Sequence, residues 1–515
     1  MTATAYTVVT FAPVQGFIEK SRKLRDLYGG SFILSYLAKA ICEAAEAAGH
    51  RVVSPAIVQP TQGTPNQIVL AGDFPETAAR EALLTAWRSL LDGCRRWVER
   101  HLPQLHFHWE ADWRYWSHDT WEIFWGQGAD ISAARQAIAR RKQQRDWRGI
   151  NWQGESSTLS GADAIAWHGM SRAQRAQDRR PAQDDREIRD FYKALATLPS
   201  LGEAFADDSE QLSLPELVKR LVTYEPVTQF IGQAIGTDLP TLESTRTFKD
   251  VSAWEGGQQF WFMGDGDRIG EHLRQLKERS GDEASALSGF SRAMLDWGHG
   301  LARHLPADPQ GRIIYAGGDD FLGVLWSDRD RQQDPNFRQR CLDWLITFPE
   351  IWAQHGQKGL TVSTGVVIPV GSVPQREVLQ HCREAEKAAK QNGRDRVAIR
   401  VLYSSGNHVQ WCCPWSQLAG FLNGCRHDNW TGLLRDVQAL RDRHADHSNA
   451  DTAKALFDCY FPDLEGLLAA EGTLFDSPSR PGQTSLLGPK PTDPDAAIWT
   501  WLQNLAWVGF QLRSR

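Results

Sequence analysis

The sequence predicts an α+β protein that contains two ferredoxin-like domains, a partly helical connector and a C-terminal helical bundle. Two observations support this fold class. Strand-like and helix-like segments alternate as β-α-β-β-α at the start of the chain and as β-α-β-β-α-β along residues 251–407, and the second order is that of a ferredoxin-like unit. Residues 408–515 contain only helical patterns.

The first ferredoxin-like domain is expected in residues 1–115. Its predicted elements are a strand at 5–11, a helix at 30–48, strands at 51–53 and 67–71, and a helix at 75–101. No acidic pair lies on its central hairpin. We therefore expect a degenerate domain that supports the second one.

Residues 116–250 are predicted to form the irregular, partly helical connector. Between Arg172 and Arg189 arginines alternate with acidic residues, Gln and Ala, which is typical of an exposed linker. A phosphate-binding stripe is the alternative. Another basic cluster lies near the start of the chain and is predicted to contact RNA or a partner protein; it consists of Lys20, Arg22, Lys23 and Arg25.

Tryptophan is frequent at the border of the first domain and the connector. Five of the 22 tryptophans recur within a short stretch, at Trp109, Trp113, Trp116, Trp121 and Trp125. Such a cluster can stack nucleic-acid bases. More often, this spacing indicates core or a protein interface.

The second ferredoxin-like domain is expected in residues 251–407. Its predicted elements are a strand from residue 259, a helix at 284–304, a hairpin at 313–325, a helix at 336–355, a strand at 360–369, a helix at 375–392 and a strand at 396–402. Unlike the first domain, it has acidic residues where two strands end.

These acidic residues form the first candidate site. Asp265 and Asp267, with Gly266 between them, follow an apolar strand, and Gly317-Gly318-Asp319-Asp320 divides the apolar hairpin. A solvated Gly-Asp hairpin turn is the simpler interpretation of the second motif alone. Two strands that bring carboxylates to one edge of a sheet provide what two-metal phosphoryl transfer requires. The glycines allow the backbone to approach a phosphate.

Lys390 and Arg394 lie four residues apart at the end of the last helix of this domain. Such cations can bind triphosphate oxygens. The alternative is that they complement the helix dipole and cover a solvent face. Next to two acidic motifs, the phosphate-binding interpretation is favoured.

The C-terminal region, residues 408–515, is predicted to form a helical bundle that binds neighbouring subunits. Its helical patterns lie at 415–423, 430–447, 453–461 and 496–512. Cys412, Cys413, Cys425 and His427 can in principle bind a metal. Buried thiols in a helical domain are the more common outcome.

Composition excludes several classes of protein. No apolar run is long enough to cross a membrane, and the first residues lack a signal-peptide pattern. The eight cysteines form no Cys-x-x-Cys pair, so neither a disulfide framework nor a zinc knuckle is indicated. A reducing cytoplasm is the expected location. The net charge of −6 does not indicate nucleic-acid binding by the whole chain.

The acidic and basic motifs resemble the cyclase palm shared by GGDEF diguanylate cyclases and the large subunit of type III CRISPR complexes, the Cas-ten family, called Cmr-two in III-B complexes. Several further segments are similar to the Cmr-type subunit. They are Phe11–Ser35, Thr64–Leu70, Leu217–Leu221, Glu243–Arg246 and Ser404–Asn407. The likeness covers residues 5 to about 407 in the expected order.

The resemblance implies an enzyme of antiviral defence that makes cyclic oligoadenylate from ATP after target RNA binds. Asp265, Asp319 and Asp320 would be catalytic, and with Asp267 they would bind two Mg²⁺ or Mn²⁺ ions. Gly266, Gly317, Gly318, Lys390 and Arg394 would bind the nucleotide. The partners implied are guide RNA, target RNA and other Cmr-type subunits. The alternative is a catalytically idle scaffold that binds the 5′ tag of the guide RNA and partner subunits.

Departures from the family pattern lead to further expectations. Diguanylate cyclases read guanine with an Asn where this chain has Leu273, so adenine is the expected base. Relatives often begin with a His-Asp nuclease domain, and neither His118-Asp119 nor His427-Asp428 fits one; no DNase activity is expected. Many relatives carry a zinc knuckle where this chain has Ser156–Gly161, so no zinc is expected there.

Overall fold

The structure, a computed structural model, describes most of the chain. The described residues are 5–21, 23–61, 63–145, 150, 152, 154–173, 179–201, 205, 210–236, 239, 257–327, 329–330, 332–443, 450–476 and 484–513. The chain divides into two compact units. Unit 1 comprises residues 1–250 with 273–295, and unit 2 comprises 251–272 with 296–515.

Unit 1 contains a four-stranded ferredoxin-like sheet, as predicted. Along the chain its elements are β1 (Tyr6–Ala12), α1 (Gln15–Glu19), α2 (Leu24–Ala47), β2 (Arg51–Ser54), β3 (Gln67–Ala71), α3 (Glu76–His101), α4 (Glu110–Asp119) and β4 (Glu122–Gly128). The strand order is β2-β3-β1-β4, and β1 is antiparallel to both neighbours. The central position of the apolar β1 buries Val8 and Val9 completely.

Two elements of this sheet domain differ from the sequence prediction. Strand β4 lies beyond residue 115, where the first domain was expected to end. The glycines of β4 interrupt the alternation of apolar and polar residues by which a strand is recognised. They are required by close packing, because a Cβ on Gly126 would lie 2.8 Å from the backbone of the following helix. Helix α2 starts at Leu24 and not at Gly30; glycine pairs are poor helix formers in sequence patterns.

The described residues of the connector are partly helical and partly irregular. The connector contains α5 (Ile131–Gln143), α6 (Pro181–Ala196), α7 (Leu214–Leu221) and α8 (Glu225–Ile235). A capping box of Ser213 and Glu216 starts α7. Every residue of α7 is buried, including Lys219 and Arg220. Residues 243–246, which belong to the family resemblance, lie outside the described residues.

Unit 2 contains most of the second ferredoxin-like fold. The elements in this part of the chain are β5 (Gln258–Gly266), α9 (Ile269–Ser280), α10 (Glu283–Leu301), β6 (Gln310–Ala316), β7 (Asp320–Ser327), α11 (Phe337–Ala353), β8 (Val362–Val370), α12 (Gln375–Gln391), β9 (Arg396–Tyr403) and β10 (His408–Pro414). The strand order is β10-β9-β8-β5-β7-β6. Its β8-β5-β7-β6 part has the ferredoxin-like order, with β9 added parallel to β8.

The C-terminal helices follow the sheet. They are α13 (Trp415–Gly424), α14 (Trp430–Arg443), α15 (Ala450–Tyr460), α16 (Glu471–Leu474) and α17 (Pro494–Arg513). Helix α17 packs against α14, α15 and β10. Strand β10 was not predicted, because residues 408–414 were assigned to the helical bundle. Among the described residues, no helix is both long and apolar enough to span a membrane.

Candidate active site on the second sheet

Three carboxylates meet where β5 and β7 lie side by side. The antiparallel register places Asp265 directly opposite Asp320. The backbone N–H of Gly266 donates to the carbonyl of Asp319 at 3.0 Å. The structure therefore brings Asp265, Asp319 and Asp320 together at one edge of the sheet, as their positions after two apolar strands predicted.

Glycines shape the backbone around these carboxylates. Gly317 donates to the carbonyl of Asp320 at 3.2 Å and closes the β6–β7 turn. Gly318 has φ 141°, a conformation that favours glycine. A Cβ on Gly266 would lie 3.1 Å from the Cβ of Asp319, so a larger residue would crowd the site. All three glycines predicted to bind the nucleotide therefore border the carboxylates.

The carboxylates oppose each other's ionisation. Desolvation by burial, followed by the charges of Asp265 and Asp320, raises the pKa of Asp319 well above its ordinary range. Desolvation and the charge of Asp265 also raise the pKa of Asp320 to about 6. The side chain of Asp320 is nevertheless exposed on the surface, so solvent screens part of these effects.

Lys390 partly compensates this negative charge. Its ammonium pairs with Asp265 and lies 2.6 Å from Glu386, one turn earlier on α12. Burial lowers the pKa of Lys390, but its hydrogen bonds to Asp265 and Glu386 outweigh this effect and raise the pKa overall. Sequence reasoning missed Glu386. Its spacing of four residues from Lys390 on a helix is the signal that indicates it.

The chemistry of the donor set suits a divalent cation, but its side chains are not arranged around one in this structure. Carboxylate oxygens are the ligands that Mg²⁺ prefers in proteins, and a bound cation would relieve the repulsion that raises the pKa of Asp319 and Asp320. In the described part of the chain, however, no group of three or more His, Cys, Asp or Glu side chains is arranged to bind a metal. Lys390 occupies an oxygen of Asp265. A cation that binds this oxygen of Asp265 competes with Lys390, whereas the second carboxylate oxygen is not part of this ion pair.

Asp267 differs from the other three acidic residues. It is only 4% exposed. Its carboxylate accepts hydrogen bonds from Ser363 Oγ at 2.7 Å, from Thr361 Oγ1 at 2.9 Å and from the backbone N–H of Asp395 at 2.9 Å. The geometry therefore does not favour the predicted role of Asp267 as a metal ligand.

Arg394 lies on the loop between α12 and β9. Its backbone N–H donates to the carbonyl of Ala389 at 3.2 Å, and its φ of 67° is unusual for a residue with a side chain. The loop follows directly after the helix end that places Lys390 at Asp265. Both predicted phosphate-binding cations therefore come from the α12–β9 segment.

The described side chains of the predicted RNA-binding cluster near the start of the chain have partners within unit 1, and Lys23 is buried. Lys23 pairs with Glu210 at 3.0 Å, and both side chains are buried. Lys20 pairs with Asp163 at 2.7 Å, and Arg25 donates to Thr223 at 3.1 Å. Basic character alone did not reveal that these side chains find partners within unit 1. Arg22 lies outside the described residues.

Other motifs from the sequence are placed as follows. Trp109, Trp113 and Trp121 are buried in the core, which contradicts a stacking platform for these three. The thiols of Cys412, Cys413 and Cys425 are free. Leu273 packs against a core cluster of unit 1.

Two family models match the chain. Residues 261–398 match the model described as Cas10/Cmr2, second palm domain. Residues 6–87 match the model described as CRISPR-associated protein Cmr2, N-terminal. No curated protein matches the chain by sequence.

Solved structures share the fold at low sequence identity. A chain of the type III-B Cmr-beta complex, solved by cryo-EM in the apo state, is 12% identical, with a TM-score of 0.55; the match covers 98% of this chain and 82% of that chain. The Csm1-Csm4 cassette in complex with cA4 is 12% identical, with a TM-score of 0.51, over 100% of this chain and 70% of that chain. The same cassette in complex with pppApApA is 13% identical, with a TM-score of 0.51 and the same coverage.

Proposed function

We propose, because this chain belongs to the Cas10/Cmr2 family of type III CRISPR large subunits, that its second palm domain joins ATP molecules into cyclic oligoadenylate. The observation that supports this proposal most strongly is the meeting of Asp265, Asp319 and Asp320 at adjacent strand ends. The Csm1-Csm4 cassette, which has a chain of similar fold, has been solved in complex with cA4.

In the proposed reaction, the 3′-oxygen of one ATP attacks the α-phosphorus of another. A new P–O bond forms, the bond to the leaving pyrophosphate breaks, and the hydroxyl proton passes to solvent. Divalent cations would lower the pKa of the attacking hydroxyl and stabilise charge on the phosphates. Asp265, Asp319 and Asp320 would bind these cations.

The cations of the α12–β9 segment would bind the triphosphate. Lys390 exchanges Asp265 for a phosphate oxygen in this proposal, because the two anions compete for one ammonium. Arg394 binds the same triphosphate from the loop. Because the three glycines have no side chain, a nucleotide can approach the backbone beside the carboxylates closely. Adenine remains the proposed base.

Regulation and partners are also proposed from the family. The chain would act within a ribonucleoprotein that contains guide RNA and other Cmr-type subunits, in the cytoplasm, and target RNA would activate the palm. An activator shifts such an equilibrium only if it binds the active arrangement more tightly.

A catalytically idle scaffold is the second candidate. The contact that favours it is the ion pair of Lys390 with Asp265, which blocks one of the metal-binding oxygens. In that case the palm would contribute only its surface to the complex.

One experiment distinguishes the two candidates. The complex assembled with guide RNA and target RNA is incubated with ATP and either Mg²⁺ or Mn²⁺, and the products are identified by mass spectrometry. The enzyme proposal expects cyclic oligoadenylate from the wild type and none from Asp265→Asn. A wild-type complex that assembles fully and makes no product would support the scaffold.

A further inference from the structure

The loop after α12 has an unusual backbone. Gly393, Arg394 and Asp395 have φ angles of 117°, 67° and 51° in succession. Glycine adopts such angles without penalty, but Arg and Asp do not. Strained conformations of this kind persist only where neighbouring groups fix them, and they are frequent at functional sites.

Two buried charged side chains fix this loop. The Asp267 carboxylate accepts the backbone N–H of Asp395 and is itself fixed by Thr361 and Ser363 on the β8 side. Arg396 is fully buried and donates from Nε to the carbonyl of Arg394 at 3.0 Å. Its other nitrogens donate to the carbonyls of Ser485 and Leu486 at 2.9 and 3.2 Å.

The fixed loop carries one cation, Arg394. Among the described residues, the Arg394 guanidinium has no ion-pair partner. Helix α12, which ends immediately before the loop, places Lys390 against Asp265. An arginine on a rigid loop next to this cluster is suited to bind phosphate oxygens in a bidentate manner.

We propose that Asp267 is a positioning residue and not a metal ligand. Its hydrogen bond to Asp395 fixes the strained 393–395 loop so that Arg394 can bind the triphosphate of ATP. This inference rests on the proposed function, since it concerns the nucleotide of the same site. The two carboxylate oxygens of Asp267 together accept three hydrogen bonds here. In Asn the amide nitrogen donates and cannot accept, so at least one of these three hydrogen bonds has to be reversed or lost.

The test separates binding of the metal from binding of the nucleotide. Wild type, Asp267→Asn and Asp265→Asn are assembled into the complex with guide and target RNA. Mn²⁺ binding without nucleotide is measured by electron paramagnetic resonance, and ATP affinity is measured by equilibrium binding in Mn²⁺. Asp267→Asn should bind Mn²⁺ like the wild type and bind ATP about tenfold more weakly, which corresponds to about 1.4 kcal/mol. Asp265→Asn should lose Mn²⁺ binding.

Asp334→Asn is the matched control for loss of a buried carboxylate. Asp334 is 9% exposed and accepts hydrogen bonds from Ser327 and Arg340 at 2.9 and 2.7 Å. It belongs to the same unit but contacts neither the loop nor the site, so this variant should leave both affinities unchanged. If Asp334→Asn weakens ATP binding as much as Asp267→Asn does, the effect is general destabilisation and the proposal is wrong.

A milder variant keeps the proposal testable if Asp267→Asn does not fold. Thr361→Val removes one hydroxyl donor to Asp267 at similar volume, and it should weaken ATP binding in the same direction without changing Mn²⁺ binding. Loss of Mn²⁺ binding in Asp267→Asn equal to that in Asp265→Asn would make Asp267 a metal ligand. Unchanged ATP affinity in Asp267→Asn would show that Asp267 does not position the loop for ATP binding.

These measurements do not depend on product formation. A wild type that binds ATP and Mn²⁺ but makes no oligoadenylate contradicts the proposed function and leaves the role of Asp267 supported by its own data. A wild-type complex that binds no ATP contradicts both.

Discussion

At the scale of single residues, the site concentrates negative charge that the fold tolerates at a cost in stability. Asp265, Asp319 and Asp320 lie close together at strand ends, and among the described residues only Asp265 of these three forms an ion pair with a cation. Desolvation by burial, followed by charge repulsion, raises the pKa of Asp319 and Asp320 and so favours their protonated forms. Shifted pKa values of this kind are common at sites that bind cations or catalyse reactions.

Replacing Asp319 and Asp320 together with Ala should abolish product formation and leave complex assembly intact. The two side chains lie at a hairpin turn, so their removal deletes charge repulsion and little core packing. Product is measured by mass spectrometry and assembly by native gel electrophoresis. A variant that makes oligoadenylate at the wild-type rate would place the active site elsewhere.

The same double variant should be more heat-stable than the wild type at pH 8 in the absence of divalent cations. A carboxyl group whose pKa is higher in the folded than in the unfolded state favours folding while it is protonated. This contribution to stability is lost as the pH rises through the pKa of the folded state, which is about 6 for Asp320. The gain in the midpoint of thermal unfolding should therefore shrink at pH 5. An equal gain in the unfolding midpoint at pH 8 and at pH 5 would contradict charge repulsion between the carboxylates as its cause.

The arrangement of some candidate site residues could be predicted from the sequence, and that of others could not. Asp265, Asp319, Asp320 and Lys390 follow from short motifs at the ends of apolar segments, because strand and helix ends fix where such side chains lie. The position of Asp267 depends on three donors from distant parts of the chain. Burial of Lys23 likewise depends on Glu210, far away in sequence, so its charge alone suggested a surface role.

At the scale of elements, α2 and α7 approach each other unusually closely. A Cβ on Gly29 would overlap the carbonyl oxygen of Lys219. Where the helices meet, the guanidinium of Arg220 forms two hydrogen bonds of 2.8 Å with Asp26 and one of 2.7 Å with Glu210, all buried. Burial also lowers the pKa of Lys219 to about 8. This pair of helices links the first sheet domain to the connector within unit 1.

Gly29→Ala should therefore destabilise unit 1, and Gly30→Ala should not. Overpacking of a well-packed contact costs about 1–3 kcal/mol, whereas the nearest atom to a Cβ on Gly30 is 3.8 Å away. The two variants are compared by their midpoints of thermal unfolding. Gly30→Ala is the control, because it replaces a glycine in the same helix. Equal midpoints would contradict the close approach of α7.

The two strands that the sequence analysis missed, β4 and β10, have different physical causes. The signals of β4 are weakened by Gly126 and Gly128, which the adjacent helix requires. Strand β10 pairs only with β9, at the edge of the sheet, so its apolar pattern is short. The central strands β1 and β5 were found readily because strands paired on both sides carry longer apolar runs.

At the scale of the whole molecule, the described residues form two ferredoxin-like sheets, and in the second sheet Asp265 and Asp320 lie opposite each other on adjacent strands. This pair of carboxylates agrees with the expectation that the second domain performs chemistry. The first domain and the connector share a buried charged network, and breaking a buried ion pair costs about 3–5 kcal/mol. Neutralising Lys23 should therefore reduce the stability of the chain before it affects any contact with RNA.

The lone chain should be nearly inactive with ATP, and activity should require guide RNA, partner subunits and a matching target RNA. An activator must favour the active arrangement by about 1.4 kcal/mol for each tenfold increase in its population, and the pairing of Lys390 with Asp265 is one contact that such activation has to release. Initial rates of ATP turnover are measured for the lone chain and for the complex with matched or mismatched target RNA. Robust turnover by the lone chain, unchanged by RNA, would indicate a constitutive enzyme.

The stoichiometry of pyrophosphate release tests the central claim most directly. The wild-type complex with target RNA is incubated with ATP and Mg²⁺, and released pyrophosphate and oligoadenylate are quantified together. Ring formation predicts one pyrophosphate for each adenylate incorporated and a product without a 5′-triphosphate, with both lost in Asp265→Asn. Release of inorganic phosphate and ADP, or a complete absence of oligoadenylate from a fully assembled complex, would contradict the assignment of this palm as a cyclase.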